Sequence, residues 1–232
     1  MRTLGLLGGM SWESTLTYYR LINQGVAARM GGLHSAPLLL HSVDFAPVAA
    51  QQAAGDWAAA GAGLVAAAAG LRLAGAQALV LATNTMHKLA DRIEFESGLP
   101  LLHIADATGA ALRAAGVQRA LLLGTRFTME DDTIVRGRLQ ARFGLDITVP
   151  AADDRALMHR VIYEELCRGQ VLDASRGAVI EIIAGQRGAQ AVILGCTEIG
   201  LLIDAASSPL PVFDTTALHA AAAVDWILEG HA

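Results

Sequence analysis

The chain repeats itself. The run Gly75-Ala76-Gln77-Ala78-Leu79-Val80-Leu81-Ala82-Thr83 aligns without a gap to Gly188-Ala189-Gln190-Ala191-Val192-Ile193-Leu194-Gly195-Cys196. Downstream, Leu99-Pro100-Leu101-Leu102-His103 matches Leu210-Pro211-Val212-Phe213-Asp214. Upstream, Leu6-Leu7-Gly8-Gly9-Met10 is similar to Leu122-Leu123-Gly124-Thr125-Arg126. The offsets are 113, 111 and 116 residues, in the same order along the chain. A period this long is not that of a solenoid and implies a duplicated domain.

The repeated unit is α/β. Short apolar runs at Thr3–Leu7, Pro37–Ser42, Ala78–Leu81, Leu101–His103, Ala120–Leu123, Asp146–Val149, Ala191–Leu194 and Pro211–Phe213 read as strands. Most are continuously apolar, as parallel strands buried on both faces must be. Helical stretches, including Trp57–Ala74, Asp106–Ala115, Arg155–Cys167 and Thr216–Glu229, lie between or after them. The alternation predicts two similar open α/β domains with mostly parallel sheets, related by a pseudo-twofold with a site between them. The expected partition is 1–100, joined by a C-terminal helix at 215–232, and 101–214. One of the helices after the last strand of each copy is expected to cross between lobes.

Composition narrows the function. With 53% hydrophobic and 17% charged residues, the chain can bury a sizeable core. A net charge of −5 offers no basic footprint for nucleic acid. Two cysteines, Cys167 and Cys196, are too few for a disulfide framework. Seven histidines show no metal-ligand spacing, so no metal is expected. The first apolar run is short and broken by Gly8-Gly9, unlike a signal peptide, and the Ala/Gly-rich stretch around Gly61–Gly70 is shorter than a membrane span. A cytoplasmic protein away from membranes is expected.

In open α/β sheets the carboxyl ends of the strands carry the site. Thr83 and Cys196 each follow such an end, so facing lobes would set them opposite one another. Cys196 lies after Gly195 and before the polar pair Thr197-Glu198, where a helix start would lower its pKa. Cys167 reads as a small core hydrophobe. A base for a Cys–His pair could come from His87, His103 or His219, none of which the sequence puts beside Cys196. Gly8-Gly9-Met10-Ser11 opens a helix and lacks both the dinucleotide fingerprint and the P-loop lysine. It suits a small anion such as a carboxylate, or else Ser11 or Ser14 simply caps the helix.

Five stretches carry a family resemblance: LGLLGGMSWEST (residues 4–15), NTMHK (84–88), LLGTRFTM (122–129), IYEELCRG (162–169) and LGCTEIG (194–200). Together the chain resembles the aspartate/glutamate racemase family, in its amino-acid racemase branch. The resemblance implies racemisation without pyridoxal phosphate, any other cofactor or metal, usually in a homodimer, on a small amino-acid substrate. It implies two cysteines flanking the α-carbon, one taking and one returning a proton. Here the first of these positions is Thr83 and the second Cys196. A threonine hydroxyl is a far weaker acid than a thiol, so Cys196 is expected to be the efficient base; the resemblance implies that the second cysteine serves the L-substrate, so the enzyme is expected to favour L-substrates. By the same resemblance Met10, Ser11, Gln52, Asn84, Thr85, Thr197 and Glu198 contact substrate, and Arg168 clamps a carboxylate. Arg168 read locally is equally a basic residue ending a helix before Gly169. Two alternatives remain: a single-cysteine decarboxylase or isomerase of dicarboxylic acids, and an amino-acid-binding protein without turnover.

Overall fold

The structure, a computed structural model, describes residues 1–229. The last three positions of the helix expected at 215–232 lie outside the described residues. The chain forms two compact units. The first comprises Met1–His103 and the chain from His219 onward, and the second Ile104–Leu218.

The first unit runs β1 (Leu4–Gly8), α1 (Trp12–Met30), β2 (Leu38–Ser42), α2 (Phe45–Ala54), α3 (Trp57–Leu73), β3 (Ala78–Leu81), a 3-10 turn at Thr85–Leu89, α4 (Ala90–Ser97) and β4 (Leu101–Leu102). Its four strands are parallel, in the order β2-β1-β3-β4. The second unit begins with α5 (Ile104–Ala114), β5 (Arg119–Gly124), α6 (Arg126–Glu130), α7 (Arg136–Phe143), β6 (Asp146–Thr148) and α8 (Ala152–Arg160). It continues with α9 (Asp173–Ala184), β7 (Ala191–Gly195) and β8 (Val212–Asp214), and α10 (Thr215–Leu228) comes next. Its sheet is again parallel, in the order β6-β5-β7-β8. The aligned segments of the sequence therefore occupy matching strands: β1 with β5, β3 with β7 and β4 with β8.

The continuous apolar runs result from burial on both faces. In β3, Ala78 and Val80 enter one core cluster while Leu79 and Leu81 enter another. In β7, Val192 and Leu194 face one core and Ala191 and Ile193 the other. Successive side chains point to opposite faces, so a strand covered twice needs an apolar residue at every position.

Both helices that come after the final strands belong to the other unit. Ile104, Ala105 and Leu112 of α5 lie in the second unit's core. Ala220, Ala223, Val224 and Ile227 of α10 lie in the first unit's core, beside Tyr18, Ile22 and Val26 of α1. Only one such crossing is expected from sequence; the structure has two. Burying Val224 and Ile227 contributes roughly 1.5–3 kcal/mol each. The exposed ion pairs that also fasten α10, Arg2 with Glu229 and Arg29 with Asp225, contribute at most about 1 kcal/mol each. Packing therefore holds the helix.

The helix expected at Arg155–Cys167 is interrupted. Regular α8 ends at Arg160, a π turn spans Val161–Glu165 and a 3-10 turn spans Leu166–Arg168. The widened turn lets Val161, Ile162 and Leu166 all bury. It also buries Glu165, whose Oε2 accepts a 2.6 Å hydrogen bond from Ser175.

Gly9 must be glycine. Its φ is +91°, and a Cβ there would lie 2.1 Å from the carbonyl oxygen of Val43. Gly63, exposed in the middle of α3, would place a Cβ in open space. Gly9→Ala is expected to destabilise by about 2 kcal/mol or more. Gly63→Ala is expected to stabilise by up to about 1 kcal/mol. Urea unfolding of the two variants should give opposite signs.

Candidate active site

In the first unit, polar residues collect where the central strands end. Met10 and Ser11 come after β1, and Thr83, Asn84 and Thr85 after β3; all five are buried. Ser11 caps α1, its side chain accepting from the Ser14 amide. The Ser14 hydroxyl reaches the carbonyl of Ala82 at 3.3 Å, tying the first loop to the end of β3. Gln52, buried on α2, donates to Met86 Sδ at 3.4 Å and so joins the same group. The Gly-rich loop is not an open anion cradle. The Gly9 amide donates to Thr15 Oγ1 at 2.8 Å, and Thr15 Oγ1 donates to the Ser11 carbonyl at 2.8 Å. The capping alternative is the one seen.

In the second unit, Cys196 comes directly after β7 and is buried. Its Sγ donates to Glu198 Oε2 at 3.0 Å, and the Thr197 hydroxyl donates to the same oxygen at 2.6 Å. Burial is the main force pushing the Cys196 thiol well above its ordinary range, with the Glu198 carboxylate second; the Glu198 amide opposes them only weakly. The expected lowering does not occur. The next helical element after Cys196 is a three-residue 3-10 turn at Ile199–Leu201, too short for a useful dipole, and the thiol lies against a carboxylate.

Cys167 is half-buried and packs against the core that holds Cys196. Desolvation pushes its thiol up to about 12. Tyr163, on the π turn, packs against the same core and rests its ring on His159, centroids 4.6 Å apart. Its phenol is raised by burial first and by Cys196 next. Arg168 is exposed at the end of its 3-10 turn, before left-handed Gly169, and makes no ion pair among the described residues. Its local structure is that of a turn-ending basic residue.

The three histidines considered as bases for Cys196 assemble in the first unit instead. His87 lies 4.6 Å from His103 and 5.6 Å from His219, between ring centroids. The base-like group in contact with Cys196 is Glu198, which the triplet Cys196-Thr197-Glu198 could have signalled. Tyr163 could not have been found, because helical periodicity misplaces a residue on a π turn. Among the described residues no group of histidine, cysteine and acidic side chains is placed to hold a metal. No helix among them is long and apolar enough to cross a membrane.

The family model for Asp/Glu/hydantoin racemases matches residues 7–223, so the chain belongs to that family. A structure from Yersinia pestis that carries the Asp/Glu racemase name is 52% identical, covering 98% of this chain and 100% of its own, with a TM-score of 0.91. An aspartate racemase homologue from Pyrococcus horikoshii OT3 is 30% identical, covering 98% and 99%, with a TM-score of 0.83. The aspartate racemase of Picrophilus torridus, 19% identical over 99% and 94%, shares the fold with a TM-score of 0.75.

Glu198 is the second influence on the thiol's proton after burial, and its removal has a definite sign. Glu198→Gln takes away a negative charge and should lower the pH at which Cys196 ionises. Burial remains, so ionisation should stay above the ordinary thiol range. Thiolate absorbance near 240 nm, titrated in a Cys167→Ala background, checks this; an upward or absent shift contradicts it.

Proposed function

We propose that the protein is an amino-acid racemase that works without pyridoxal phosphate, on aspartate, glutamate or a small relative. The observation that carries this reading is the Cys196–Glu198 hydrogen bond at the carboxyl end of a central parallel strand, in a chain of the racemase family. The resting thiol holds its proton. Transfer of that proton from Sγ to Glu198 Oε2 leaves a thiolate, and the ammonium of an arriving amino acid favours the charged form. The thiolate takes the α-proton of the L-enantiomer. Fixed donors and a dry site stabilise the carbanion. Asn84, Thr85 and Thr197 supply hydroxyl and amide groups, with Met10, Ser11 and Gln52 shaping the substrate's surroundings and Arg168 pairing with a carboxylate.

Thr83 serves the other face. A carbanion is a stronger base than an alkoxide, so donation from the Thr83 hydroxyl is feasible, and water restores the hydroxyl proton. The reverse step requires the alkoxide as base and is slow near neutral pH. The enzyme is therefore biased toward L-substrates in its rate constants, while the equilibrium ratio is untouched. Thr83 in place of a second thiol also supports a second reading, a one-thiol decarboxylase or isomerase of dicarboxylic acids.

With L-aspartate or L-glutamate in heavy water, Cα deuteration and D-product are expected. Carbon dioxide release would favour the second reading, and binding without exchange across an amino-acid panel would leave neither. Cys196→Ala should cut exchange about 10³-fold. Thr83→Cys should raise D-to-L turnover relative to L-to-D; an unchanged ratio would remove Thr83 from the mechanism.

The protein acts as a homodimer in this reading, in the cytoplasm. Trp12, Leu16 and Tyr19 of α1 stand exposed beside Leu40 of β2, around an almost wholly apolar hollow of about 320 Å³. Sedimentation equilibrium should give twice the chain mass, and Leu16→Glu should shift it to the monomer. A wild-type monomer at micromolar concentration contradicts this.

A further inference from the structure

The sheet's hold on the first unit's central strand ends at Ala82, whose amide donates to the Leu7 carbonyl at 2.9 Å. The two carbonyls that follow are held by side chains, that of Ala82 by the Ser14 hydroxyl and that of Thr83 by an imidazole. His87 Nδ1 lies 2.8 Å from the Thr83 carbonyl, and a carbonyl only accepts, so Nδ1 carries the proton and donates. We propose that His87 is a positioning residue, fixing the Thr83 turn so that the hydroxyl stands where it can deliver a proton. This rests on the reading that Thr83 serves one face of the substrate.

The two copies of the fold show that the imidazole is not needed to close such a turn. Along the repeat, His87 corresponds to Gly200 and His103 to Asp214. In the second unit the equivalent carbonyl, that of Cys196, accepts from the Ile199 amide at 3.2 Å, a bond made by backbone alone. There the space beside Gly200 is taken by the Asp214 carboxyl, 3.1 Å from where a Cβ would lie. The imidazole is thus peculiar to the unit that carries threonine. A thiolate is large and polarisable, whereas a hydroxyl must be aimed, and a misplacement of about 1 Å can cost about 10²-fold in rate.

His87 is itself held by a frame. Its ring packs against His103 and His219. His219 Nε2 donates to the Leu102 carbonyl at 2.8 Å, so its Nδ1 accepts from the Tyr18 hydroxyl at 2.9 Å. Burial keeps His87 and His219 neutral, holding His87 well below its ordinary range and bringing His219 down to about 4. A neutral His87 still donates from Nδ1, which is the only proton the role requires.

The test compares two outputs of one reaction. With L-substrate in heavy water, deuterium in the recovered L-form reports Cys196, and D-product reports delivery from the Thr83 face. His87→Ala should lower D-product at least tenfold relative to exchange. His87→Asn places an amide nitrogen where Nδ1 stood and should restore the ratio to within threefold. His87→Gln, whose amide lies farther out, should not. Equal loss of both outputs in His87→Ala and His87→Gln would mean support of the fold only, and would overturn the proposal. Amide hydrogen exchange of residues 83–87, read by mass spectrometry, needs no turnover. It should quicken in His87→Ala and His87→Gln and stay near wild type in His87→Asn. Unchanged exchange in all three would overturn the role of His87, whereas absence of any Cα exchange by the wild type would overturn the racemase reading alone.

Discussion

Covering a parallel sheet on both faces leaves its strands no room for chemistry. Every side chain of β3 and β7 is committed to one core or the other. Polar groups can appear only where the ladder stops, at the carboxyl ends. Thr83 and Cys196 are among the first residues past those stops, and the groups around them come from loops and helix starts. The candidate site is a by-product of sheet burial before it is anything chemical.

That constraint is why so much of the fold is legible in the sequence. Runs such as Ala78–Leu81 and Ala191–Gly195 announce two-sided burial, and their recurrence announces the second sheet with the same strand order. The site is legible only in part. Gly195-Cys196-Thr197-Glu198 shows which groups are adjacent, but the thiol's direction of shift depends on a hydrogen bond and on burial, neither of which has a period. The reading of a helix dipole fails because three residues of 3-10 turn are not a helix. Arg155–Cys167 fails for a related reason: Val161 and Ile162 bury by widening the turn, which a strict 3.6-residue pattern cannot express. His87, His103 and His219 are far apart in sequence, so their meeting is a tertiary fact.

The two strand ends have become electrostatically unlike. Cys196 faces a carboxyl that draws its proton yet discourages its charge. Thr83 sits in a turn held by the neutral imidazole of His87, with no carboxyl at the position matching Glu198, which is occupied by Thr85. Duplication supplied the same backbone twice, and side chains at matching positions then set different proton affinities on it. A racemase with this asymmetry would differ between its two directions because of residues around its acid and base as well as the acid and base themselves.

The exchange of α5 and α10 gives the chain an order of assembly. The second unit is one continuous stretch, Ile104–Leu218, whereas the first is interrupted by all of it. During synthesis the first sheet must wait, one face covered by α1 alone, until the residues beyond His219 have left the ribosome. The second unit can close as soon as β8 is made. The part of the protein translated first is therefore the last to be finished. The ring that completes it, His219, is also the one that backs His87 behind Thr83, so the bracing of the threonine turn comes only with the final helix.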